Sequence, residues 1–162
     1  MPIPLLISFF ILLSLSPNAQ TRGGRMEGRV VKIIDGDTYD LLTPDNNVLR
    51  NRMNGIDAPE KGQAYGQKTK EHLGQLCFKH TIRVQWYSKD RNGRYIADSC
   101  LPDGRSLSLE MISAGYAWHF KKYSVDTILS IAEVKARQQQ IGLWADLNPE
   151  EPWDYRSKRK RY

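Results

Sequence analysis

Asp35-Gly36-Asp37 and Asp57-Ala58-Pro59-Glu60 place four carboxylates in two short runs about twenty residues apart. Each run breaks an apolar, strand-like stretch: Ile33-Ile34 leads into the first, and Met53 to Ile56 into the second. Arg52 stands just ahead of the second. A meander of antiparallel strands would bring the two breaks together, so that Asp35, Asp37, Asp57 and Glu60 converge beside Arg52. Carboxylates gathered at one point repel one another. A divalent cation with oxygen ligands and a nearby guanidinium neutralise them at the lowest cost.

Each piece has a plainer reading. Asp-Gly is a common hairpin turn, because Gly tolerates positive φ and Asp accepts local backbone hydrogen bonds. Asp35-Gly36-Asp37 lacks the further oxygen ligands of an EF-hand loop. Ala58-Pro59 alone marks a strand exit. His72, His80 and His119 have no metal-ligand spacing. Trp86, Trp118 and Trp144 read as core, and Trp153 as either core or surface.

The elements that must position the carboxylates follow from periodicity. Residues 26–34 read as a strand with Gly28 as a bulge, 38–43 as its hairpin partner, and 48–56 as a third strand. Residues 64–78 form a helix through Leu73, Leu76 and Cys77. Ile82, Val84 and Trp86 alternate in a fourth strand; Asn92-Gly93 is a strong hairpin dipeptide before a fifth at 95–101. Ser106 caps a short helix that Gly115 ends. Ser124 caps a longer one to Gln140, with Ile128, Ile131, Ala132 and Ala136 on one face and Gly142 beyond its end. The expected class is α+β: a five-stranded antiparallel OB-type β-barrel with three packed α-helices.

The chain has 162 residues, 40% of them hydrophobic, enough for one domain core, expected over 26–146. A net charge of +6 suits a polyanionic partner, either nucleic acid or an anionic membrane surface. Residues 1–19 carry no Lys, Arg, Asp or Glu, and Leu5 to Leu15 is almost wholly apolar. Eleven helical residues span about 17 Å, short of a ~30 Å hydrocarbon core, which favours an export signal over an anchor and a periplasmic or secreted product. Residues 20–25 read as a flexible arm. Residues 147–162 form a tail with Pro149 and Pro152 as helix blockers and a basic run from Arg156 to Arg161. That tail reads as solvated, with at most a weak electrostatic pull on phosphates.

With a third segment, Asp90-Arg91-Asn92-Gly93-Arg94, the two acidic runs resemble the thermonuclease family, typified by staphylococcal nuclease. Gly115-Tyr116-Ala117-Trp118 and Gly142-Leu143-Trp144 extend the resemblance, which runs from about Glu27 to Trp144. It implies an OB barrel and a Ca²⁺-dependent phosphodiesterase acting on DNA and RNA, cleaving the P–O5′ bond to leave 3′-phosphates. The family's metal ligands fall on Asp37, Asp57 and the backbone carbonyl of Ala58, with Asp35 in support. Its general base falls on Glu60, and its phosphate-clamping arginines fall on Arg52 and Arg94.

There are departures from the family pattern. Ala58 stands where the family often has Thr, and Asn92 where an aromatic residue often precedes the Gly-Arg pair. Arg91, Lys121 and Tyr123 are the candidate substrate contacts that remain. The resemblance implies a monomer with no stable protein partner. The competing reading is a non-catalytic OB-type module that only binds nucleic acid; the acidic and arginine positions kept here argue against it. Two cysteines, Cys77 and Cys100, are either buried thiols or, after export, a disulfide worth on the order of 3 kcal/mol through loop closure.

Overall fold

The computed structural model describes residues 23–160; the expected export signal, the first half of the expected arm and the last two residues lie outside it. Five strands close a barrel in the order β1 (Gly24–Ile33), β2 (Thr38–Leu42), β3 (Val48–Met53), β6 (Tyr95–Cys100), β5 (Thr81–Lys89). Gly24 and Arg25 pair with Trp86 and Gln85, so the last two residues of the expected arm are strand. A second, two-stranded ribbon joins β4 (Ile56–Asp57) to β7 (Trp118–His119). The helices are α1 (Gly66–Cys77), α2 (Leu107–Ser113), α3 (Thr127–Gln138) and α4 (Pro152–Arg159). No helix among the described residues is long and apolar enough to cross a membrane.

The barrel is not antiparallel throughout. β3 pairs with β6 in parallel, Arg52 opposite Ile96. Parallel neighbours cannot be joined by a tight turn, and here the chain through α1 and β5 supplies the crossover. β3 is also shorter than the expected strand. It ends at Met53, and Gly55 turns the chain at φ +74 into β4. Gly28 keeps regular register with Ile82, and the bulge falls instead between Val30 and Lys32. At Gly28 an added Cβ would sit 2.5 Å from the Leu42 carbonyl oxygen, so glycine serves the close approach of β2.

Inward-facing Val30, Tyr39, Leu41, Met53, Ile82, Val84 and Ala97 fill the barrel. Leu73 of α1 and Leu107, Met111 and Ile112 of α2 complete the same core. α3 keeps Ala132 and Ala136 of the expected face inward but not its two isoleucines. Leu129, Glu133 and Ala136 are its buried residues, whereas Ile128 and Ile131 are 61% and 68% exposed. The cap is Asp126, which accepts from the amides of Ile128 and Leu129; Ser124 instead bonds His119 Nε2. The rotation follows from Glu133. Buried, it receives the His119 amide and ion pairs from Lys121 and Arg137, and that network fixes which side of α3 faces inward.

The fourth helix is the main departure from the expected layout. Pro152 opens it, since a first-turn proline has no amide to satisfy and a φ already suited to helix. Trp153 stacks on Phe120 with centroids 5.2 Å apart and meets Trp118 edge-on at 5.8 Å. It joins a satellite core of Trp118, Ala136, Leu143 and Trp144. The tail is thus docked through Pro152, Trp153 and Arg156, while Asp154, Ser157, Lys158 and Arg159 stay exposed as the expected solvated face.

Cys77 and Cys100 are both free, which corrects the disulfide expectation. The Cys77 thiol lies on the buried face of α1 and donates to the Leu73 carbonyl at 3.2 Å. Burial pushes that thiol's pKa up to about 12. Iodoacetamide on the native protein at pH 8 should label the partly exposed Cys100 and spare Cys77. Unfolding without reductant should then expose a second labelling site. A mass showing no added group after unfolding would mean a bridge instead.

Candidate functional site

Three backbone features bring the acidic runs together. The β1–β2 turn is closed by the Ile34 amide donating to the Thr38 carbonyl, and by the Asp37 amide donating to Asp35 Oδ1 at 3.1 Å. The Met53 amide donates to the Asp37 carbonyl at 2.8 Å, tying that turn to the end of β3. The β4–β7 ribbon then holds Asp57 opposite Trp118. Asp37 is 5% exposed and Asp57 is fully buried.

Arg52 joins the two. Its Nη2 lies 2.9 Å from Asp57 Oδ1 and 3.2 Å from Asp37 Oδ2. Its Nη1 donates to the carbonyls of Ile56 and Met53 at 3.0 and 3.3 Å. Burial works against this guanidinium's charge, but Asp37, Asp57 and Asp35 together hold its pKa above the ordinary value. Asp37 is completed by the Thr38 hydroxyl on Oδ1 and the Ala58 amide on Oδ2. Asp35 carries the strain of the cluster. Half-buried and next to Asp37, its pKa rises from 3.8 to about 7, first through burial and then through the Asp37 charge. Asp57 is raised as well, again by burial first, although hydrogen bonding from Arg156 opposes the shift.

Glu60 sits at the open edge, its amide donating to Gln63 Oε1 and Gln63 Nε2 donating in turn to the Glu150 carbonyl. Arg94 approaches from the β5–β6 hairpin. Asp90 holds it through Nε at 2.7 Å, and its Nη1 reaches the Thr38 hydroxyl at 3.5 Å. Asp35, Asp37, Arg52, Asp57, Ala58, Glu60 and Arg94 therefore share one neighbourhood. Arg91 is exposed in the hairpin turn. Lys121 is directed to Glu133 at 3.1 Å and not to the carboxylates, and Tyr123 is exposed against Phe120.

Among the described residues, no three His, Cys, Asp or Glu side chains form a group that could hold a metal ion by themselves. Two of the three histidines are otherwise engaged: His119 bonds Ser130 and Ser124, and His72 packs against the Tyr116 ring at a tilt.

One site residue escaped the sequence reading. Arg156 of α4 places Nη1 3.1 Å from Asp57 Oδ1 and 2.6 Å from Glu60 Oε1, with Nη2 2.6 Å from Asp57 Oδ2. The available signal was Pro152 as a helix start, with Trp153 and Arg156 three apart on one face.

Residues 50–146 match the family described as Staphylococcal nuclease homologue, more than half of the chain. The chain belongs to the staphylococcal nuclease family. A relative in Haemophilus influenzae, described as an uncharacterized endonuclease, is 41% identical over 156 residues, covering 96% of this chain and 84% of its own length. A similarly described protein of Escherichia coli O157:H7 is 37% identical over 134 residues, covering 83% and 87% respectively. A Shigella flexneri protein described as a micrococcal nuclease is 36% identical over 143 residues, covering 82% of each chain. Membership supports nuclease activity and nucleic-acid binding in general. A net charge of +6 favours a polyanionic partner at long range, and the cluster of Asp35, Asp37, Asp57 and Glu60 carries the opposite sign locally.

The Asp35 shift has a thermodynamic consequence. A carboxyl whose folded pKa lies above its unfolded value costs stability as pH rises from about 4 to about 7, and the full cost persists above that. Asp35→Asn keeps the acceptor for the Asp37 amide and removes the charge. In chelator, its melting temperature should match the parent at pH 4 and exceed it by a few degrees at pH 8, as for ~1 kcal/mol in a domain this size. A difference that stays flat with pH would show that Asp35 is not under this strain.

Proposed function

We propose that the chain hydrolyses phosphodiester bonds of DNA and RNA with Ca²⁺ as cofactor, cleaving the P–O5′ bond to leave 3′-phosphates. The observation that carries this reading is the convergence of Asp37, Asp57 and Glu60 at one edge, with Arg52 and Arg94 beside them. The donor set fits a hard cation: every candidate ligand is an oxygen, and two of them are carboxylates held on neighbouring segments by Arg52. Asp37, Asp57 and the Ala58 carbonyl would hold Ca²⁺, with Asp35 behind them. So thin a protein ligand set leaves water and substrate to complete the shell and implies binding on the order of 10⁻⁴–10⁻³ M. When bound, Ca²⁺ polarises the phosphoryl oxygen.

The remaining roles belong to the chain. Glu60, at the open edge and one proline beyond Ala58, takes the proton from the attacking water. Arg94, already beside Thr38, meets the phosphate as charge grows on its oxygens. Arg52 commits both Nη atoms to oxygens of the site itself, so its first effect is to hold Asp37 and Asp57 in place. Any help it gives the phosphate acts from that fixed position.

Plasmid DNA and RNA incubated with the protein should be degraded in millimolar Ca²⁺ and preserved in chelator. Retarded but intact nucleic acid would instead indicate a binding module. At saturating Ca²⁺, Glu60→Gln should lower kcat by about 10²–10⁴-fold with little change in melting temperature. Arg94→Lys keeps the charge but loses the bidentate fork, and should also lower kcat strongly. Asp37→Asn should lose activity that added Ca²⁺ partly restores. If folded Glu60→Gln and Arg94→Lys proteins both turn over within about threefold of the parent, the assigned roles are wrong.

A further inference from the structure

Arg156 stands where the proposed mechanism needs open carboxylate oxygens. Both oxygens of Asp57 accept from it, and Oδ1 accepts from Arg52 as well. The same Nη1 holds Glu60 Oε1 at 2.6 Å. One guanidinium thus spans a candidate metal ligand and the candidate base. The contacts are charge-assisted and short, with the two-pronged geometry in which Arg and carboxylate bind best.

The residue is delivered by a built segment. Pro152 starts α4 and is buried, Trp153 is seated between Phe120 and Trp118, and the Gln63 side chain anchors the Glu150 carbonyl at 2.7 Å. Lys158 pairs with Glu150 at 2.5 Å, closing the helix back on its own lead-in. The Arg156 side chain is 35% exposed, so solvent reaches it while Asp57 beneath is sealed. A positive charge at this point does part of what a divalent cation would do there: it offsets the repulsion among Asp37, Asp57 and Glu60. Arg52 and Arg156 already share Asp57, so a further cation bound closely to it meets the repulsion of both guanidiniums.

We propose that Arg156 is a further positioning residue of the site, a tethered guanidinium that holds Asp57 and Glu60 in place of a cation and, by competing with Ca²⁺ for them, sets the Ca²⁺ concentration the site requires. This rests on the calcium reading above. While the pair is made, Glu60 Oε1 is committed to Arg156. Binding of the divalent cation releases the guanidinium, and with it the base. Trp153 keeps α4 docked throughout, so only the arginine side chain has to turn.

The test is direct Ca²⁺ binding by equilibrium dialysis, without nucleic acid, on the full chain. Arg156→Gln should tighten the Ca²⁺ Kd by about tenfold, the order expected when a charge-assisted competitor is removed. Arg156→Lys keeps the charge but loses the fork, and should fall between the two. Trp153→Ala leaves every carboxylate untouched and undocks α4, so it should shift Kd in the same direction as Arg156→Gln. Melting curves in chelator identify which variants are folded. Measurable binding by the parent, with Kd unchanged or weakened in folded Arg156→Gln and Trp153→Ala, overturns the competition and leaves the calcium reading standing. No Ca²⁺ binding by parent or variants overturns both.

Discussion

Asp37 and Asp57 are buried carboxylates on different segments, and nothing in the fold allows them to be neighbours without a positive charge between them. Arg52 meets that requirement. Its guanidinium touches both carboxylates and two backbone carbonyls, so the β1–β2 turn, the end of β3 and β4 meet through one side chain. An uncompensated buried charge is among the costlier defects in a protein, and removing one partner of such a pair is far worse than never having built it. The barrel end and the candidate site therefore share a single electrostatic condition. The parallel β3–β6 pairing, the Gly55 turn and the β4–β7 ribbon are the backbone geometry that satisfies it.

Local signals made much of this legible from the sequence. Asp35-Gly36-Asp37 and Asp57 to Glu60 sit where strand-like runs break, and the Asn92-Gly93 hairpin places Arg94, so the site could be assembled from neighbours in sequence. The errors were tertiary. Ile128 and Ile131 looked like the inward stripe of α3, but buried Glu133 with its Lys121 and Arg137 partners turned the helix. No periodicity rule scores a buried glutamate as core. The parallel seam was invisible because strand order depends on closure, not on strand content. Free Cys77 and Cys100 likewise reflect where each side chain is directed, which their spacing does not carry.

Arg156 shows a different limit. A run rich in Lys and Arg after two prolines has the composition of a solvated tail, and most of it is exposed. One aromatic residue reverses that reading. Trp153 has enough apolar surface to seat the helix against Trp118 and Phe120, and the arginine three residues on then falls over the carboxylates. Electrostatic pattern alone could not separate this arginine from Lys158 or Arg159; docking geometry does.

The parallel seam carries a consequence for motion. β3 and β6 are joined by three residue pairs, Asn51 with Tyr95, Arg52 with Ile96 and Met53 with Ala97, whereas β1 and β5 share six. Local opening favours the stretch with the fewest interactions. Here that stretch includes Arg52 itself, so loosening the barrel and unbalancing the site are one event. Any ligand that binds the closed site holds the seam shut by mass action. Amide hydrogen exchange along β6 would then report occupancy of a pocket whose carboxylates that strand does not supply.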